Sequence, residues 1–130
     1  MKQLKISWEE FNKQIRILEY EIKNSGLNFD GIYGVPRGGL AIALCLSHSL
    51  DLPILMYPTN QSLVVDDISD KGTALQNINH KKIATLFSTD WTITKPDWSV
   101  DIKENKDEWL IFPWENDDKE KQSTIEESVA

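Results

Sequence analysis

Apolar positions recur early in the chain at helical spacing. Phe11, Ile15, Leu18 and Ile22 follow one another at intervals of four, three and four residues, the stripe of an amphipathic helix. Ser7-Trp8-Glu9-Glu10 has the form of a capping box at its start, and Asn24-Ser25-Gly26 supplies a stop. The pattern then changes. Gly31-Ile32-Tyr33-Gly34-Val35 is an apolar run of strand length, broken by Pro36-Arg37-Gly38-Gly39. Residues 40–50 are apolar nearly all round, which predicts a buried helix. Further strands are expected over 53–57, over 63–65 leading into Asp66-Asp67, over 82–87 and over 98–102, with a short helix over 73–79. Residues 109–114 are apolar and aromatic. No segment repeats another. Strands alternating with helices in this order predict an α/β fold, a mostly parallel sheet flanked by helices. In such sheets ligands collect at the carboxyl ends of strands, where two loops fall: residues 36–39 and residues 66–72.

Composition narrows the picture only a little. The 130 residues, 40% hydrophobic and 27% charged, suit one domain over 1–115 followed by a polar tail, 116–130, expected to be disordered. From Glu115 onward six acids face two lysines, −4 of the formal −7. The body has no basic stripe, so nucleic acid is not an expected partner. No apolar run is long enough for a membrane span, and the N-terminus lacks a signal-peptide core. Cys45, the single cysteine, excludes an internal disulfide and points to a reducing cytoplasm. It reads as a core residue, and His48 and His80 lack metal-ligand spacing.

The second loop carries the chemistry. Leu63-Val64-Val65 delivers two adjacent carboxylates, Asp66 and Asp67, followed by Ile68-Ser69-Asp70-Lys71-Gly72-Thr73. The carboxylates can accept from a sugar diol or bind Mg²⁺, which prefers oxygen ligands. The turn offers backbone amides, the Ser69 and Thr73 hydroxyls and a helix start to a phosphate. In the first loop, Gly38 and Gly39 let the backbone approach a ligand closely, and Arg37 offers several fixed donors to phosphate oxygens.

These residues resemble the type I phosphoribosyltransferases, and most of all the bacterial xanthine-guanine enzymes, over residues 6–115. Ile6-Ser7-Trp8-Glu9 resembles their opening helix start, and residues 34–40 their pyrophosphate loop, with Arg37 and Gly38 against the pyrophosphate. Residues 64–73 are similar to their phosphoribosyl pyrophosphate (PRPP) signature. The resemblance implies that Asp66 and Asp67 meet ribose hydroxyls and Mg²⁺. It implies that Ser69, Asp70, Lys71, Gly72 and Thr73 surround the 5-phosphate, and that Asp70 acts catalytically on the purine proton. Trp109 would stack on the base and Leu110 would offer its backbone. The implied activity is transfer of ribose 5-phosphate from PRPP to guanine, xanthine or hypoxanthine, by a homo-oligomer.

Three features depart from that family. Its phosphate loop ends Asp-Thr-Gly-x-Thr, where this chain has Asp70-Lys71-Gly72-Thr73-Ala74: either two threonines are replaced, or one residue is deleted and Thr73 is the second threonine. Its long lid before the PRPP motif is here the link Pro58-Thr59-Asn60-Gln61. Its base-reading lysine after the fourth strand falls at Thr89 or Asp90, with Lys95 as a downstream substitute. Trp91 and Trp98 are expected to pack rather than to touch ligand. A catalytically inactive PRPP- or nucleotide-binding protein on the same fold is therefore the alternative.

Overall fold

A computed structural model of the chain describes residues 2–78 and 82–115. The proposed tail, 116–130, lies outside the described residues, as do His80 and the end of the helix expected over 73–79.

The first helix, α1 (Trp8–Asn24), begins where Ser7 accepts a bond from the Glu10 amide at 3.0 Å. It buries Phe11, Ile15, Leu18 and Ile22, the stripe read from the sequence, together with Gln14. Four parallel strands form the main sheet in the order β2 (Ile32–Gly34), β3 (Leu63–Ser69), β4 (Lys82–Ser88) and β5 (Trp98–Ile102). β2 leads through α2 (Leu40–Leu50) to β3, and β3 leads through the single turn α3 (Thr73–Gln76) to β4. The loops after β2 and β3 therefore lie side by side, because their strands are neighbours. Val35 N donates to Val65 O at 2.9 Å and ties the two strand ends together.

The core gathers the buried side of α1, Ile42, Ala43 and Leu46 of α2, and the inner residues of β3 and β4. A smaller cluster of Val64, Leu75 and Ile83 holds α3 to the sheet.

Two expectations are corrected. Helix α2 is covered on one side only: Leu40 and Leu44 stand about half exposed, because α1 and the sheet pack against its other side. Residues 53–57 form no strand but one isolated bridge, Ile54 to Ile32. Leu55 N bonds Ile32 O and Pro53 O accepts from Ile32 N, both at 2.8 Å. Pro53 and Pro58 cannot donate, so the pairing stops there.

The structure also adds a sheet. β1 (Lys2–Lys5) pairs in parallel with β6 (Glu108–Ile111). Just past β6, Phe112 and Trp114 stack with ring centroids 5.1 Å apart, and Trp114 meets Phe11 of α1 edge-on at 5.2 Å. These contacts, with Phe112 edge-on to Phe87, hold residues 112–114 against α1 and β4.

Candidate active site

β3 runs beyond the expected apolar core and carries Asp66 and Asp67 within the strand. Asp66 pairs with Thr85 of β4, and pairing resumes at Ile68 opposite Phe87. The Asp67 amide donates to Asp66 Oδ1 at 2.8 Å, and the Ile68 amide to Asp67 Oδ1 at 2.7 Å. Burial, and then repulsion from Asp67, pushes Asp66 up to about 8. Burial also raises Asp67. The pair thus holds a proton near neutral pH.

The first loop is pressed onto these carboxylates. A Cβ at Gly38 would collide with the Asp67 carboxylate, and one at Gly39 with Val65 O. Both positions need hydrogen for close approach. The Pro36–Arg37 peptide is cis. Arg37 is exposed and has no ion pair among the described residues.

The turn 69–74 is organised from outside. The segment between β4 and β5 folds back over it as a strap. Thr89 Oγ1 donates to Asp70 O at 2.6 Å, the Ile93 amide to Lys71 O at 3.0 Å, and Thr94 Oγ1 to Gly72 O at 2.7 Å. Three successive carbonyls are thereby turned towards the strap. The amides of Lys71, Gly72 and Thr73 have no protein acceptor among the described residues. Gly72 sits at φ +84° and a Cβ there would strike Thr92 Oγ1. α3 is a single turn, so these amides rather than a long helix dipole are what the loop offers an anion. They border a cavity of about 280 Å³ lined by Asp66 and residues 68–75.

The sequence-assigned Ser69 hydroxyl is committed elsewhere. It is buried, donates to Thr94 O at 2.6 Å and shares a 2.8 Å bond with Thr92. Lys71 and Thr73 are exposed.

Asp70 stands where the cavities meet. It borders the cavity of about 280 Å³ at the turn, one of about 400 Å³ shared with Lys71, Trp91, Lys103, Lys106, Glu108 and Trp109, and one of about 260 Å³ shared with Asp67, Trp109, Leu110 and Phe112. Trp91 Nε1 donates to Asp70 Oδ1 and Lys103 Nζ to Asp70 Oδ2, each at 2.8 Å. Burial pushes the Asp70 carboxyl up, but the bonds from Lys103 and Trp91 and the charges of Lys103 and Lys71 outweigh it and hold it low.

Two sequence readings change here. Trp91 is a site residue, not packing alone. Lys95 borders a different cavity with Ser88, Thr89 and Asp90; Lys103, placed by the end of β5 and only 8% exposed, shares two cavities with Trp109. Trp98, as expected, packs, edge-on to Phe29 at 6.3 Å.

Among the described residues no three His, Cys, Asp or Glu side chains gather as a metal group. Two adjacent carboxylates nevertheless fit Mg²⁺, which is commonly held by one or two carboxylates while phosphates and water fill its shell.

Comparison with known proteins points in one direction. No family model matches the chain. The xanthine-guanine phosphoribosyltransferase of Cereibacter sphaeroides (strain ATCC 17025 / ATH 2.4.3) is 23% identical over 142 residues, covering 85% of each chain. A purine phosphoribosyltransferase from Pyrococcus horikoshii Ot3 superposes with a TM-score of 0.75 at 27% identity, over 89% of this chain and 96% of that one. In sequence and in fold the chain is similar to the type I phosphoribosyltransferases. The phosphoribosyltransferase fold extends to the Helicobacter pylori xanthine-guanine-hypoxanthine enzyme, with a TM-score of 0.74 at 22% identity over 93% of this chain and 99% of that one. No helix among the described residues is long and apolar enough to cross a membrane.

Proposed function

We propose that the protein transfers ribose 5-phosphate from PRPP to an oxopurine base and releases pyrophosphate. One observation carries this reading: the acidic pair, the turn with unpaired amides and a tryptophan-lined pocket adjoin one another around Asp70. A 5-phosphate, a ribose and a base joined in one nucleotide would each find a partner there.

In the proposed reaction the bond from C1′ to the pyrophosphate oxygen breaks and its electron pair leaves with pyrophosphate. A purine nitrogen forms the new bond to C1′ and loses its proton. Mg²⁺, when bound at Asp66 and Asp67 with PRPP, supplies positive charge to the phosphate oxygens. The amides of Lys71, Gly72 and Thr73 hold the 5-phosphate. Arg37, beside Gly38 and the Asp67 carboxylate, faces the pyrophosphate and stabilises the charge that grows there. Trp109 stacks on the base and fixes its approach. Lys103 donates to an exocyclic oxygen. As it turns from Asp70 to that oxygen, Asp70 Oδ2 becomes available to the purine N–H.

A binding protein without turnover is the second reading. It is favoured by the four-residue link 58–61, too short to close over the site, and by the double hold on Asp70, which weakens it as a base. Titration with PRPP and Mg²⁺, followed by guanine, xanthine and hypoxanthine with pyrophosphate release monitored, separates the two. Binding with release supports the transferase. Binding without release leaves the second reading, and no PRPP binding removes the transferase and confines the second reading to nucleotides.

A further inference from the structure

The pocket between Trp91 and Trp109 holds more positive charge than reading one carbonyl oxygen requires. Its charged lining is Asp70 and Lys71 from the turn after β3, Lys103 from the end of β5, Lys106 from the loop that follows, and Glu108 of β6. Lys103 compensates Asp70 at 2.8 Å. Two lysines then face one acid. Lys106 is not dispersed into solvent: its ammonium lies 5.3 Å from the centre of the Trp91 ring, the geometry of a cation held on an aromatic face. Trp91 is fixed in turn by its bond to Asp70. Lysine ammonium groups only donate hydrogen bonds. Exocyclic oxygens on a flat ring therefore find partners here, and a ring that has lost a proton is held more strongly still.

We propose that this pocket selects a dioxopurine in its anionic form over a neutral purine, and that Lys106, seated on Trp91, determines that choice. The inference deepens the reading above and rests on its assignment of the base pocket, but it does not require turnover.

The test is calorimetric titration of the full chain with the 5′-monophosphates of xanthosine, inosine and guanosine, each with Mg²⁺, between about pH 5 and pH 8. Over this range the xanthine ring ionises and the hypoxanthine ring stays neutral. All three ligands carry the same ribose and phosphate, so titration at Asp66 and Asp67 cancels in their ratio. The xanthosine-to-inosine affinity ratio should rise with pH. Lys106 contributes up to about fivefold of that rise, the scale of a partly solvated ion pair. Lys106 is exposed, so its variants keep the fold: Lys106→Gln should lower the rise by this factor and Lys106→Arg should retain it. A flat ratio, or a rise untouched by Lys106→Gln, overturns the inference while leaving the nucleotide site in place. Failure of all three nucleotides to bind removes the proposed function and the inference together.

Discussion

Near neutral pH the Asp66–Asp67 pair keeps a proton that an isolated pair in water would have lost, and this has a sign that can be checked. Asp66 is raised from its ordinary value to about 8 by burial and by Asp67. Its contribution to stability is therefore present at low pH and declines as pH climbs from about 4, the unfolded value, through about 8. Denaturant unfolding at successive pH values should show that decline, and Asp66→Asn should flatten it. Mg²⁺ binding to the pair should release a proton and tighten as pH rises towards 8, measurable by titration in buffers of different ionisation heat. A pH-independent Mg²⁺ affinity would remove the pair from metal binding. Lys103→Met strips Asp70 of its cation. Asp70 is partly solvated, so we expect a stability loss of only about 1 kcal/mol, but about tenfold weaker binding of an oxopurine nucleotide with PRPP affinity little changed. Asp66, Asp67 and Asp70 could be read from the sequence because they stand together in one loop behind an apolar strand. Lys103 and Trp91 could not: each reaches Asp70 from a remote polar stretch, where lysines ordinarily read as solvated.

Elements explain why the two glycines after Arg37 differ. Gly39 faces backbone, Val65 O and Val35 N, whereas Gly38 faces the side chain of Asp67. A backbone cannot swing aside as a carboxylate can. Gly39→Ala should cost about 1–3 kcal/mol of stability, read from urea unfolding. Gly38→Ala should cost less stability but displace Asp67 and weaken Mg²⁺-dependent PRPP binding. The strap has its own test. Thr92→Val removes the hydroxyl shared with Ser69, a buried pair, at a cost of about 1 kcal/mol, and should loosen the turn, seen as faster amide exchange at residues 70–73. Helical periodicity located α1 because its stripe spans several turns, and α2 was located by an apolar run of helix length. It missed β1, whose four exposed residues carry no burial pattern, and it turned residues 53–57 into a strand because an apolar run does not reveal that flanking prolines limit its pairing to one bridge.

At the scale of the molecule, alternating strands and helices were enough to place both loops at the carboxyl ends of neighbouring strands, and the fold agrees. How the chain closes on itself was not readable, because β1 meets β6 across nearly the whole described length and such a contact has no local signature. Leu44, Met56 and Tyr57 stand exposed. If the homo-oligomer that the resemblance implies forms through them, light scattering should report more than one chain per particle and Leu44→Glu should lower that number; a single chain at all concentrations would reject it. The strap has a consequence for how quickly ligands come and go. Its bonds to the turn carbonyls order the loop during folding, so little ordering entropy remains to be lost when an anion arrives. The segment joining the Ile54 bridge to β3, residues 55–62, is short for a lid that closes behind the ligand. Residence time is then set by the contacts themselves rather than by a gate, and product escape should not be the slow event of a catalytic cycle at this site.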